Sequence, residues 1–84
     1  MNKIRKIIDE LDIIIKRNNV TPPIDLSKIK LFDDNTIVSY LWLLSKDHFL
    51  IVAQSIKENM TNSDYNALLS KIDNIYELLA EKIK

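Results

Sequence analysis

The chain has 84 residues with one histidine, no cysteine and no glycine, so the chemistry open to it is narrow from the outset. His48 is the only histidine, and a general base needs a positioned partner and a reacting group. Its neighbour in sequence is Asp47. Consecutive residues on a helix point about 100° apart, so the two make no ready dyad. A surface or boundary histidine is the expectation. Without cysteine there is no thiolate nucleophile, no disulfide and no Cys-based zinc site, and no spacing motif supports a zinc site built from one histidine and carboxylates. Phosphate loops and dinucleotide fingerprints need glycine backbone that can approach a phosphate closely. The sequence therefore assigns no catalytic, cofactor-binding or metal-binding residue, and no cofactor is expected.

The remaining chemistry-bearing clusters have plainer readings. Asp9, Glu10 and Asp12 sit together on a charged stretch where carboxylates are expected to be solvated. Paired acid–base catalysis needs a cleft between two carboxylates, which one helix does not supply. Asp33-Asp34-Asn35 lacks the glycine and distal glutamate of a calcium loop, and reads instead as a helix cap. Tyr40 and Trp42 are of the types enriched at binding hot spots, but in so apolar a run they are expected in the core.

The run that holds them, Thr36 to Ala53, is the most apolar in the chain. Stepped at 100° per residue, Ile37, Val38 and Tyr40 through Leu44 cover the whole circumference of a helix, the pattern of a buried helix or a membrane span. Lys46, Asp47 and His48 interrupt it well short of the roughly 20 residues that a span needs, so a buried central helix is expected. Ser45-Lys46-Asp47 is either the exposed face of one long helix or the cap of a second helix running to about Asn59.

The flanking segments are amphipathic. A first helix is expected from Lys3 to Asn18, with Ile4, Ile7, Ile8, Leu11, Ile14 and Ile15 at the spacing of one face. Arg5–Asp9 and Asp12–Lys16 are i,i+4 pairs on its polar side. Ile13 falls about 160° from the centre of the apolar stripe. Val20-Thr21-Pro22-Pro23 breaks the helix and re-aims the chain. Ile24 to Phe32 is either a short helix or the first strand of a β-hairpin, in which SKIKLF pairs with TIVSY. After Met60, Thr61-Asn-Ser-Asp64 forms a capping box with Asp in place of Glu. A last helix follows over Asn62–Ile83, and its positions 65, 68, 72, 75 and 79 keep a heptad-like spacing. Leu78 lies off that stripe. With no glycine, tight turns fall to asparagine, and Asn18, Asn19, Asn35, Asn59 and Asn62, where the periodicity breaks, are expected as caps and turns.

The expected fold is one all-α domain over residues 1–84, three to five helices in a small bundle with the first and last helices packed on the central one. An α+β variant with one hairpin is the alternative. Twelve basic and twelve acidic residues give a net charge of zero, which argues against nucleic acid, since that affinity rests on many Lys/Arg–phosphate contacts. Acidic residues cut short the apolar part of MNKIRKII, so no signal peptide is expected and the cytoplasm is the expected compartment. In size and helical content the chain resembles the small bundle proteins that neutralise bacteriocins or toxins, a likeness of architecture carried by no motif. The expected function is non-enzymatic: a small regulator, inhibitor or immunity-type module that binds a partner protein. Ile13, Leu78, Asp9 and Asp12 are the candidate contact residues, with a homodimer through the last helix as the self-association route. The alternative is a dimeric helical DNA-binding regulator, with a helix-turn-helix around Lys57 to Lys71.

Overall fold

The computed structural model describes residues 2–83. Five helices follow in order: α1 (Asn2–Arg17), α2 (Leu26–Ile29), α3 (Asp34–Leu44), α4 (Lys46–Ser55) and α5 (Asn62–Ile83), with a 3-10 turn at Lys57–Asn59 before the last. The described residues contain no strand, so the all-α expectation holds and the hairpin does not form. Asp25 instead caps the single turn of α2 by accepting from the Lys28 amide, and Asp33 caps α3 by accepting from the Thr36 amide at 2.8 Å. A radius of gyration of 12.1 Å matches the roughly 12 Å of a compact chain this long.

The long helices behave as their periodicity predicts. On α1, Ile4, Ile8, Leu11, Ile14 and Ile15 are buried; on α5, Tyr65, Leu68, Ile72, Ile75, Tyr76 and Leu79 are. The side chain of Ile83, also assigned to that stripe, lies outside the described residues. The heptad-like positions of α5 are thus spent inside the chain's own core, and any pairing with a second copy must use another face of this helix.

α1 ends without glycine. Asn19 takes φ 57°, the left-handed conformation that closes a helix. The Val20 amide returns to the Ile15 carbonyl and the Asn19 amide to the Lys16 carbonyl. Asn18 then ties this end of α1 to the start of α5: its amide nitrogen donates to Asp64 at 2.8 Å, and its oxygen accepts from the Thr61 amide at 3.4 Å. Thr61 caps α5 by accepting from the Asp64 amide. Asp64 is the third residue of the helix, but the Thr61 amide that a capping box would give to its carboxylate goes to Asn18. Arg17 and Asn18 hold the Asp64 carboxyl down at about 2.

The central run is two helices, one of the two outcomes open from the sequence, bent by 78° at Ser45. Against expectation, it is not enclosed. α3 buries only Ile37 and Leu41, four residues apart, and half-buries Val38, Tyr40 and Leu44. Trp42 is 41% exposed and Leu43 87%, and Ile51 on α4 is 58% exposed. The long helix α5 packs against both α1 and α4. Tyr76 of α5 reaches α3, donating its hydroxyl to the Leu41 carbonyl at 2.8 Å, and meets Phe49 of α4 edge-on.

Ser45 has φ 70° and ψ 154°, a region that is essentially glycine's own and costs a non-glycine residue on the order of 1–3 kcal/mol. It stays because its hydroxyl caps α4 through the His48 amide. Replacing a serine cap by glycine loses only a few tenths of a kcal/mol. Ser45→Gly is therefore expected to raise stability by about 1 kcal/mol, and Ser45→Ala, which keeps the strain and loses the cap, to lower it. Urea denaturation of the two variants checks this; destabilisation by both would mean that the bend is unstrained.

Candidate interaction surface

The four contact residues expected from the sequence have different settings. Ile13 is 54% exposed on α1, and Leu78 is half-buried against the core on α5. Both face the groove between those helices, whose walls meet at a Glu10–Lys71 ion pair of 3.3 Å. Asp9 is half-buried and paired with Lys30 at 3.0 Å. It shares a recess of about 430 Å³ with Arg5, Lys6, Lys30 and the exposed Leu31.

Asp12 corrects the expectation of a solvated acidic face. It is 6% exposed, with Lys16 at 3.0 Å, Lys30 at 3.4 Å and the Ser27 hydroxyl donating at 3.1 Å. Burial pushes its pKa up, but the hydrogen bonds from Lys16, Ser27 and Lys30 together outweigh that and leave it below the usual value. This cluster fastens α2 to α1. Of the two i,i+4 pairs expected on α1, Asp12–Lys16 forms. Arg5 instead leaves its helix for Asp34, at 2.8 Å, and the Lys30 carbonyl.

His48 stands exposed on the first turn of α4, its Nδ1 3.4 Å from the Ser45 hydroxyl. That contact belongs to the cap of α4. Among the described residues no three His, Asp or Glu side chains gather as a metal site would require. In the segment considered for a helix-turn-helix, Lys71 is held by Glu10 and Lys57 lies over the Tyr65 ring, 5.4 Å from its centroid.

The feature missed from sequence is the corner where α3 meets α4. Trp42 and Leu43 leave the last turn of α3 uncovered, and Ile51 does the same on α4. Lys46, one residue past the corner, is surrounded by acids: Asp73 at 2.8 Å, with Glu77 and Asp47 close enough to raise its pKa further. The chain matches no family model, no curated protein and no solved structure. No single helix among the described residues is long and apolar enough to cross a membrane; α3 and α4 reach that hydropathy only together, across their bend.

Proposed function

We propose that the protein is a non-enzymatic interaction module, a small regulator, inhibitor or immunity-type protein that acts by occupying a surface of a partner protein. The observation that carries this is the exposed pair Trp42–Leu43 on a strained, capped corner. Large apolar side chains held out on rigid backbone suit a receptor cleft, because little conformational entropy is lost when they are buried, and tryptophan is among the residues that dominate interface energetics. The acids around Lys46 give the corner a negative rim, which favours a protein with an apolar cleft and a basic rim over an anionic bilayer.

Trp42 is the only tryptophan, so its fluorescence reports the contact directly. A captured partner, once purified, is expected to shift Trp42 emission with 1:1 saturation, and Leu43→Asp is expected to weaken binding roughly 30-fold or more. A partner that binds the Leu43→Asp variant equally well overturns this reading. So does an emission shift with phosphatidylglycerol vesicles and none with protein.

A further inference from the structure

A groove runs between α1 and α5. Arg17 pairs with Asp64 and Glu10 with Lys71, so seven residues back along α1 is seven residues forward along α5. The helices are antiparallel and in register. At one end of the groove a recess of about 330 Å³ has Ile7 and Leu78 at its base, Lys3 and Lys6 on the α1 side, and Glu77 and Glu81 on the α5 side. Further along, a recess of about 300 Å³ has Ile13, Ile14 and Ala67 beside Arg17 and Lys71. Among the described residues, only those of α1 and α5 line either recess.

Charge along this face is organised by helix. α1 reads positive at Lys3 and Lys6, negative at Glu10 and positive at Arg17; α5, at the same levels, reads negative at Glu77 and Glu81, positive at Lys71 and negative at Asp64. Such a face is complementary to itself in one orientation. A two-fold axis parallel to the helices lays α1 of one copy over α5 of the other with levels preserved. Lysines then meet glutamates at one end, Glu10 meets Lys71 in the middle, and Ile13 meets the Ala67 level. A two-fold axis across the helices instead stacks Lys3 and Lys6 over Arg17 and the glutamates over Asp64, which like-charge repulsion disfavours.

We propose that the α1/α5 groove is a homodimer interface, closed by a second copy of this chain about the parallel axis into a four-helix layer pair. The span from Lys3 to Arg17 is about 20 Å of helix, a patch at the small end of stable interfaces. The dimer is consequently weak and concentration-dependent. It does not rest on the corner at Trp42: Trp42→Ala is expected to leave it intact.

Sedimentation equilibrium between about 1 µM and about 1 mM tests it, a range set by the weak end of protein association. The wild-type mass is expected to rise from 9.8 kDa toward twice that and stop there, because a two-fold interface closes. Ile13→Asp replaces the apolar contact at the Ala67 level by a carboxylate that must be desolvated, and is expected to weaken association at least about tenfold. Lys6→Glu and Glu77→Lys each place like charges across the axis and are each expected to self-associate less. Mixed together, they restore opposite charges at both contacts and are expected to recover the dimer. Circular dichroism and melting of each variant alone separate loss of association from loss of fold. A wild type that stays monomeric over the whole range, a mass that passes beyond two copies, or a mixture no better than its components overturns the proposal.

Discussion

Leu41→Ala is expected to lower the stability of the protein by about 2–5 kcal/mol, while Leu43→Ala, two residues along the same helix, changes it by less than about 0.5 kcal/mol. Leu41 is 1% exposed and belongs to the cluster of buried side chains drawn from all five helices; Leu43 is 87% exposed. Truncating Leu41 removes apolar area and leaves a cavity beside Tyr76, whose hydroxyl bonds the Leu41 carbonyl and holds the surroundings in place. A site that cannot collapse lies toward the upper end of the range. Small domains hold margins near the lower end of 5–15 kcal/mol, so this variant is expected to be substantially unfolded at moderate urea. Midpoints at unchanged m-values measure both effects. Equal costs at the two positions would mean that α3 is enclosed by neighbours and that the corner is not available to a partner.

That contrast also marks where sequence reasoning stopped. An all-round apolar helix reports that its side chains avoid water; it does not supply neighbours to cover them. In a chain of 84 residues too little surface is buried on folding to surround one helix on every side. α5, by contrast, packs against both α1 and α4. The outer helices were legible because 3,4 spacing and capping chemistry are local. Asp33 at the start of α3, Asn19 at the end of α1 and Thr61 at the start of α5 all act where their types predicted.

What was not legible depended on residues far apart in sequence. Arg5 could be assigned to Asp9 only while Asp34 was unplaced. The carboxyl of Asp64 looked like a capping-box partner until Asn18 and Arg17 arrived from α1. Ser45 left one helix or two equally open, since neither outcome follows from its propensity. The difference is made by a cap to His48 that holds a glycine-like backbone. For the candidate sites, the off-stripe positions of Ile13 and Leu78 were readable from periodicity. Their meeting in one groove was not, because it needs the antiparallel register of α1 and α5.

Asp12 is the clearest product of that long-range assembly, and its removal is the second large expected effect. Asp12→Ala is expected to cost about 1–3 kcal/mol at neutral pH, the range for losing hydrogen bonds between charged and polar groups. Breaking a fully buried ion pair costs about 3–5 kcal/mol because it strands a charge. That extreme does not apply here: the Lys16 side chain is 63% exposed and can hydrate, and Lys30 keeps Asp9. The pH dependence follows from the direction of the shift. Its folded-state pKa lies below the ordinary 3.8 despite burial, so the carboxylate stabilises the fold above that value and the contribution disappears as pH falls through the folded-state value. The stability gap between wild type and Asp12→Ala should therefore be constant near neutrality and narrow in acid. A gap that widens in acid would mean that Asp12 is held protonated by its burial, and that Ser27, Lys16 and Lys30 do not form the clasp between α1 and α2.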